Sequence, residues 1–309
     1  MNQIARIGFA GIGLMGRPLV HRLLAAGYAV DVWNRSRDKL ADVVTAGATA
    51  VATPAALREH CDVVMLCLAD TDAVRNVIFG PDGLANDADA PNPVRNALTR
   101  LVVDLSSIDP AATQEMARRL FETSGIGWAD TPMSGGVPGA EQGTLAIMAG
   151  GHAEDIDGLR PLMETISQRF THMGPTGAGQ ITKLCNQMIV GCNVLAIAEV
   201  MGLARRAGID AGRLPAALAG GFADSTPLQM TGPMMAAGET EPVRWHVRTL
   251  LKDLDTANST AAAFDGETPL TALAAKLLRA HGDSGFLDAD PATLVQRYLE
   301  TGALPDEDE

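Results

Sequence analysis

The chain has 309 residues, of which 47% are hydrophobic and 20% are charged, and its net charge is −13. This composition is typical of a folded protein long enough for two domains. The acidic balance disfavours nucleic acid partners, whose phosphates bind basic surfaces. The sequence shows neither a leader-peptide pattern nor an uninterrupted apolar run of membrane-spanning length. We therefore expect a cytoplasmic location and no membrane partner.

Residues 1–174 alternate strand and helix patterns. The apolar segment Ile7–Ala10 ends in glycines, and a helical pattern follows from about Leu14 to Ala26. A second strand is predicted at Ala29–Trp33, with a helix after it that ends near Ala46. Further strands are predicted at 62–68, 101–107 and 144–150, with a surface loop at 80–93. This alternation predicts an α/β fold with a doubly wound parallel sheet.

Residues 175–309 carry almost only helical patterns, and we expect about five helices, the first very long. We therefore predict two domains, 1–174 and 175–309. The four cysteines and six histidines lack the spacings of metal ligands, so no metal site is expected. Cys185 and Cys192 are predicted to be small core residues of the long helix.

The segment GIGLMG matches GxGxxG between the first strand and the first helix. Such glycines permit a tight turn, close approach of the backbone to a pyrophosphate, and close helix–strand packing, and the helix N-terminus then faces the anion. The alternative is a glycine-rich turn without a ligand. The strand–turn–helix context favours dinucleotide binding by Gly11, Ile12, Gly13, Leu14, Met15 and Gly16.

The second strand is followed by Asn34, Arg35, Ser36 and Arg37, where an NAD-binding enzyme usually places a carboxylate. Without the carboxylate, a guanidinium can bind the 2′-phosphate of NADP through paired hydrogen bonds. The alternative is the solvated start of a helix. We predict that NADP is preferred and that NAD remains possible, with Asn34, Arg35 and Ser36 at the cofactor.

Ser134, Gly135 and Gly136 lie in a predicted loop between strands. Consecutive glycines let backbone N–H groups converge on an anion, and the serine hydroxyl adds a donor. A carboxylate is the natural ligand, and a simple tight turn is the alternative.

One face of the long helix is predicted to contain Lys183, Gln187, Val190, Val194, Ile197 and Met201. The later members are apolar, so the lysine that begins this face is predicted to point inward, next to Asn186 and Gln187. A lysine that extends from an apolar stripe to solvent is the alternative. As a base at neutral pH, a lysine needs desolvation or nearby cations, whereas a substrate carboxylate opposes that change.

Five stretches of the sequence resemble, in the same order, the β-hydroxyacid dehydrogenase family, which includes 3-hydroxyisobutyrate dehydrogenase and tartronate semialdehyde reductase. They are GFAGIGLMG, DLSSIDP, DTPMSGGVPGAEQGTLAIMAGG, GPTGAGQITKLCNQ and LLKDLDTA. The resemblance implies a Rossmann domain followed by an all-helical domain for substrate binding and dimerisation. A long inter-domain helix would join them, and the assembly would be a homodimer or homotetramer.

The resemblance also implies roles for individual residues. Lys183 would be the catalytic acid/base, and Asn186 would orient it and the substrate. A small carboxylate-bearing substrate would contact Ser134, Gly135, Gly136, Asn186, Gln187 and Lys252. The cofactor would further contact Leu68, Ser107, Trp245 and Lys252, with Trp245 standing where relatives often carry Phe.

Two departures leave the substrate open. Relatives commonly have two asparagines after the lysine, whereas this chain has Asn186 and Gln187, as tartronate semialdehyde reductases do. Those reductases, however, tend to keep an aspartate at the position of Asn34. The predicted function is an NADP-preferring oxidoreductase that interconverts a small 3-hydroxy acid and its semialdehyde or keto acid by hydride transfer. The alternatives are an imine reductase of the same superfamily and a non-catalytic NADP-binding interaction module.

Overall fold

The computed structural model describes residues 4–85 and 98–299, so positions 86–93 of the predicted loop lie outside the described residues. The chain divides into two compact units, Met1–Lys183 and Leu184–Glu309. This division falls later in the chain than the predicted boundary after residue 174. The domain limits 1–174 and 175–309 stay a prediction.

The first unit alternates strands and helices. Its strands are β1 (Arg6–Ala10), β2 (Ala29–Trp33), β3 (Thr49–Ala50), β4 (Val63–Leu66), β5 (Leu101–Asp104), β6 (Gly127–Asp130), β7 (Met133–Ser134), β8 (Leu145–Gly150) and β9 (Ser167–Gly174). Its helices are α1 (Gly16–Ala25), α2 (Ala41–Thr45), α3 (Pro54–His60), α4 (Thr71–Phe79), α5 (Pro110–Ser124), α6 (Gly136–Gln142) and α7 (Ala153–Met163). The second predicted helix is divided, because a 3-10 helix (Arg37–Leu40) precedes α2.

The strands of the described residues form one sheet in the order β3-β2-β1-β4-β5-β6-β8-β7, and β9 also pairs with β8. The pairs from β3 to β6 are all parallel, with Ile7 opposite Val30 on one side and Val63 on the other. This confirms the doubly wound sheet. Beyond it, β8 runs antiparallel to β6 and β7. The sequence analysis did not predict β3 and β7, which have two residues each, nor β6, nor β9, whose residues are mostly exposed or half-buried.

Alternate residues of the central strands pack against helices on opposite faces of the sheet. Ile7 and Phe9 belong to the core formed with α1, α6 and α7. Val64 and Leu66 belong to the core formed with α3, α4 and α5. The central strands β4 and β5 are buried along their whole length, as their continuous apolar pattern predicts.

Helix boundaries in the sheet unit follow from local side-chain chemistry. The Asp109 carboxylate accepts the Ala112 N–H at 2.7 Å, Pro110 occupies the first position of α5, and Gly125 ends the helix at φ 72°. The cap at Asp109 therefore fixes where α5 begins. The short segment between β5 and α5 contains Ser107.

The long helix α8 (Ala178–Arg206) begins in the first unit and continues into the second. The remaining helices are α9 (Leu214–Leu218), α10 (Thr226–Ala237), α11 (Val247–Ala263), α12 (Pro269–His281) and α13 (Gln296–Leu299). Val194, Ile197 and Met201 are buried in the core of the second unit, which confirms the predicted apolar face. The prediction for Cys185 was wrong, because it lies exposed on another face of α8, and Cys192 is only half-buried.

Within the described parts of the chain, α8 is the one helix long and apolar enough to cross a membrane by length and composition. Half of its most apolar window is buried inside the protein. A buried core helix of a soluble protein meets the same two criteria, so this helix is weak evidence for a membrane span.

Candidate active site

Four of the predicted cofactor segments follow neighbouring parallel strands. The glycine loop from Gly11 follows β1, Asn34 follows β2, Leu68 follows β4, and Ser107 follows β5. The carboxyl ends of parallel strands lie at one edge of a sheet. The strand order reverses direction between β1 and β4, and ligands of such folds bind at that position.

The glycine loop has the geometry of a phosphate-binding turn. Gly11 has φ 106°, and a Cβ there would collide with the Cys67 carbonyl oxygen. A Cβ at Gly16 would collide with the Gly11 carbonyl oxygen. By contrast, Gly13 is exposed and has open space where a side chain would stand. Gly11 and Gly16 thus let the loop pack closely, and Gly13 leaves its backbone accessible. This arrangement suits the binding of a dinucleotide pyrophosphate.

Asn34 connects the glycine loop to the segment after β2. Its Oδ1 accepts the Ile12 N–H at 2.9 Å, and its Nδ2 donates to the Ser36 carbonyl oxygen at 2.8 Å. Both ends of the amide are therefore used inside the loop. Arg35 and Arg37 beside it are exposed, so two guanidinium groups lie in the segment after β2. Position 34 supplies an amide there instead of a carboxylate.

A buried carboxyl group lies beneath the Ser107 segment, and the sequence analysis missed it. Asp104 is fully buried, and its Oδ1 accepts the Ser106 N–H at 3.0 Å. Its Oδ2 has no hydrogen-bond partner among the described residues. Burial raises the pKa of Asp104 to about 7. The Ser106 hydroxyl in turn accepts the Leu68 N–H at 2.9 Å, which joins the segments after β4 and β5.

Burial also raises the pKa of the Cys67 thiol, which follows β4. The pKa of Cys67 rises to about 12, mainly through desolvation and also through the nearby Asp104 charge. Cys67 is therefore a neutral thiol at physiological pH, consistent with a packing role.

Ser134, Gly135 and Gly136 lie at a strand-to-helix junction, which corrects the prediction of a loop between strands. Ser134 pairs with Ala146 of β8, and α6 begins at Gly136. Gly135 and Gly136 have φ angles of 133° and 62°, which favour glycine. Both glycines are exposed, so their N–H groups can approach an anion.

The first turn of α8 contacts the Ser107 segment through Gln180. The Gln180 side chain is buried; its Nε2 donates to the Ser106 carbonyl oxygen at 2.8 Å, and its Oε1 accepts the Ile108 N–H at 3.2 Å. Lys183 stands three residues further on, on the same helix face, and is half-buried. The predicted acid/base therefore lies about one helical turn along α8 from the contact with the Ser107 segment.

In the second unit, a chain of polar side chains links the other predicted residues. Asn186 Nδ2 donates to Gln187 Oε1 at 2.8 Å, and Gln187 Nε2 donates to Asp253 Oδ2 at 2.7 Å. Asp253 Oδ1 is 3.3 Å from Lys252 Nζ. The buried Asp253 carboxylate thus orients both the Gln187 amide and the Lys252 ammonium.

The sequence analysis did not identify Asp253 as a site residue, because its bond to Gln187 spans 66 positions and has no local signal. Trp245 is half-buried and packs against the core of the second unit, which leaves its predicted cofactor contact as a prediction. Residues 4–85 and 98–299 include no group of three or more His, Cys, Asp or Glu side chains placed to hold a metal ion.

Comparisons with known proteins match both parts of the chain. Residues 6–174 match the family model described as the NAD binding domain of 6-phosphogluconate dehydrogenase. Residues 177–298 match the family model described as NAD-binding of NADP-dependent 3-hydroxyisobutyrate dehydrogenase. Together the two models account for most of the described chain.

Individual relatives are similar over nearly their full length. The 2-hydroxy-3-oxopropionate reductase of Escherichia coli (strain K12) is 34% identical over 292 residues, which cover 94% of this chain and 96% of that protein. The crystal structure of 3-hydroxyisobutyrate dehydrogenase from Salmonella typhimurium superposes with a TM-score of 0.82 at 25% identity, covering 95% of this chain and 99% of that one.

A third relative was solved with a cofactor. The structure of Psf3 in complex with NADP+ and 2-OPP superposes with a TM-score of 0.81 at 25% identity, over 94% of this chain and 99% of that chain. The extent of these matches shows that the chain belongs to the β-hydroxyacid dehydrogenase family and is an NAD(P)-dependent oxidoreductase.

Proposed function

We propose that this protein is an NADP-preferring oxidoreductase that interconverts a small 3-hydroxy acid and its semialdehyde or keto acid, with Lys183 as general acid/base. The observation that carries the proposal is the pair of Gln180 hydrogen bonds to Ser106 and Ile108. These bonds fix the first turn of α8 beside the segment with Ser107, at the edge where the cofactor loops converge. Lys183 follows on the same helix face.

Different residues would bind the cofactor, bind the substrate and transfer the proton. Gly11–Gly16 would hold the pyrophosphate of the cofactor, which supplies hydride transfer when bound. The Ser134 hydroxyl and the N–H groups of Gly135 and Gly136 would donate to the substrate carboxylate. In the reductive direction the Lys183 ammonium gives a proton to the carbonyl oxygen as it becomes a hydroxyl. In the oxidative direction the neutral amine removes that proton.

The preference for NADP is supported by the segment after β2. Asn34 carries no charge and uses its amide within the loop, so it does not repel a 2′-phosphate. The exposed Arg35 guanidinium can bind that phosphate through two parallel hydrogen bonds. The NADP+ complex of the relative Psf3 agrees with this assignment.

The substrate class follows from the donors at the site and from the relatives. A serine hydroxyl and two glycine N–H groups suit a carboxylate, and the Escherichia coli relative is named for reduction of 2-hydroxy-3-oxopropionate. The Asn186–Gln187 pair supports the same substrate. We therefore rank tartronate semialdehyde first and a 3-hydroxyisobutyrate-like acid second.

The proposal is tested with NADPH- and NADH-dependent turnover of tartronate semialdehyde, succinate semialdehyde, 3-hydroxyisobutyrate and a cyclic imine. Lys183→Ala should lower kcat for the acid or semialdehyde about 100-fold or more while NADPH binding persists, because general acid–base catalysis contributes that much. The exposed Lys276 of α12 supplies the control Lys276→Ala, which should retain full activity. Imine turnover that survives Lys183→Ala would favour an imine reductase, and NADPH binding without any turnover would favour an interaction module.

The cofactor preference has its own variant. Arg35→Ala should raise KM for NADPH roughly tenfold and leave KM for NADH unchanged, because one phosphate-binding guanidinium is lost. Lys39→Ala removes an exposed cation nearby and should change neither value. An equal effect of Arg35→Ala on both cofactors would contradict the proposed role of the guanidinium.

We further propose a homodimer or homotetramer, supported by exposed apolar side chains in the second unit. On α8 they include Ile189 and Leu203, exposed by 71% and 69%, and on α12 they include Leu270, exposed by 73%. Light scattering of the wild type should give a multiple of the chain mass, and Leu203→Glu should lower it. A cytoplasmic location without membrane or nucleic acid partners remains a prediction from the sequence.

A further inference from the structure

The first turn of α8 is held by a carboxylate that comes from the sheet. Asp130 ends β6 and is fully buried. Its Oδ1 accepts the Gly177 N–H at 2.8 Å, and its Oδ2 accepts the Gln180 N–H at 2.9 Å. The first N–H groups of a helix have no partner within the helix. Here one carboxylate binds two of them from positions 47 and 50 residues away in sequence.

The contact between the sheet and this turn leaves no room for side chains. A Cβ at Gly179 would lie 2.5 Å from the Met148 carbonyl oxygen and 2.6 Å from the Asp130 carbonyl oxygen. A Cβ at Gly150 would lie 2.6 Å from Asp130 Oδ1. The turn therefore lies directly on β6 and β8, and the carboxylate fits between two glycines.

Opposing effects act on the charge of Asp130: the helix start and its N–H groups favour the carboxylate, whereas burial disfavours it. The N-terminus of the 29-residue helix α8 carries a partial positive charge. Burial raises the pKa of Asp130, and the hydrogen bonds from Gly177 and Gln180 oppose that rise. Asp104 is its neighbour in register on β5, and the Asp130 charge contributes to the raised pKa of Asp104.

We propose that Asp130 is a positioning residue of the reaction, which fixes Lys183 by binding the Gly177 and Gln180 N–H groups at the start of α8. This inference rests on the proposed role of Lys183. Two anchors act on one turn, because the Gln180 backbone binds Asp130 while its side chain binds Ser106 and Ile108. Lys183 stands one turn further along the helix. Its ammonium therefore depends on this turn for its place relative to the cofactor edge.

The expected effect is on turnover more than on binding. A misplacement of about 1 Å at a reacting group can reduce the rate about 100-fold. The glycine loop and the segment after β2, which would hold most of the cofactor, do not contact Asp130 through any of the hydrogen bonds described above. Loss of the Asp130 contacts should therefore lower kcat while the Kd of NADPH changes little.

The test is Asp130→Asn. The amide keeps the size of the side chain, but its oxygen can accept only one of the two N–H groups and its NH2 faces the other. We expect kcat per NADPH-binding site to fall about tenfold or more, and the Kd of NADPH to change less than about threefold. The limb of the kcat–pH profile that disappears in Lys183→Ala should move to lower pH in Asp130→Asn, because a negative charge at the start of α8, one helical turn before Lys183, is removed.

Asp70→Asn is the matched control. Asp70 caps α4 with a single hydrogen bond from the Ala73 N–H at 2.8 Å, which an asparagine oxygen can still accept. Its kcat and pH profile should equal those of the wild type. Unchanged kcat and pH profile in Asp130→Asn, or loss of NADPH binding in parallel with kcat, would overturn the inference.

Gly150→Ala tests the geometry if Asp130→Asn does not fold. The added Cβ displaces the Asp130 carboxylate from the helix start without removing its charge. We expect the same fall in kcat with an unmoved pH limb, and full kcat would overturn the inference. Lys183→Ala separates the two proposals. Activity that persists in Lys183→Ala contradicts the proposed function, whereas activity lost there but retained in the Asp130 and Gly150 variants contradicts only the positioning role.

Discussion

Each unit buries a titratable group whose pKa is strongly shifted, and the two shifts have opposite directions. In the sheet unit, Asp104 and Asp130 are fully buried at the ends of neighbouring strands, and burial raises the pKa of both. In the helical unit, His281 is 2% exposed at the end of α12, and burial lowers its pKa to about 4. Burial thus favours a bound proton on Asp104, whereas it excludes a proton from His281. Acid should therefore affect the two units in opposite directions.

The difference follows from what each unit places around its buried group. The carboxyl ends of parallel strands lead into loops and helix starts, which offer backbone N–H donors to Asp130 and Asp104. His281 instead stacks on Phe286 with ring centroids 4.4 Å apart, and its Nε2 lies 2.8 Å from the Thr293 hydroxyl. That environment satisfies a neutral imidazole and gives no carboxylate partner to an imidazolium.

The largest expected effect concerns Asp104 in the sheet unit. Its pKa of about 7 in the fold exceeds its ordinary value of 3.8, so between these pH values the folded state holds a proton that the unfolded state has lost. This contribution to stability is present below about pH 4 and is lost as the pH rises through 7. Relative to Asp104→Asn, which cannot titrate, the wild type should lose about 4 kcal/mol between pH 4 and pH 8.

Hydrogen exchange of amides in β4 and β5 at several pH values, corrected for intrinsic rates, measures this difference within the sheet unit. Glu59→Gln alters an exposed carboxyl of α3 and should leave the pH dependence unchanged. A parallel pH dependence in the wild type and Asp104→Asn would show that the buried carboxyl does not titrate in this range.

The second effect has the opposite sign and concerns His281. Its pKa of about 4 lies below the ordinary 6.5, so between these pH values the unfolded state binds a proton that the folded state excludes. The stability that neutral His281 provides is present above about pH 6.5 and is lost as the pH falls through 4. The expected loss is about 3 kcal/mol.

Exchange of amides in α12 reports on the helical unit in the same samples. His281→Gln should remove the acid-dependent part of the loss, because glutamine can still bond to the Thr293 hydroxyl and does not titrate. His152→Ala changes an exposed histidine and should have no such effect. If both units lost protection together on acidification, the comparison between them would fail.

The alternating strands and helices of the sheet unit were largely predictable, because the sequence patterns that indicate them are local. Alternating apolar strands, glycine turns and capping residues such as Asp109 determine where each element begins. The glycine loop and the face of α8 that begins with Lys183 were found for the same reason, since spacing along the chain carries their pattern. Family resemblance added roles that spacing alone does not give, such as those of Ser134 and Lys183.

The missed residues depend on contacts between distant positions. Asp130 and Asp253 look like ordinary strand-end and helix aspartates until the fold brings them to Gln180 and Gln187. The two-residue strand β7 forms only through β8, and no pattern of its own predicts it. Cys185 was misplaced because the prediction used its residue type and not its helix face: the predicted apolar face is buried, and Cys185 lies outside it.

The smallest expected effect concerns helix caps, which both units contain. Ser225 caps α10 by accepting the Leu228 N–H at 3.1 Å, and Thr53 caps α3 by accepting the Ala56 N–H at 3.4 Å. Ser225→Ala should lower the free energy of unfolding by about 1 kcal/mol, and Thr53→Ala by somewhat less, because its bond is longer. These caps are local and uncharged, so both losses should be the same at pH 5 and pH 8. Urea unfolding of both variants at the two pH values measures them. A cap cost that changed with pH in one unit would mean that the buried carboxyls or the imidazole act on helix starts beyond their own contacts.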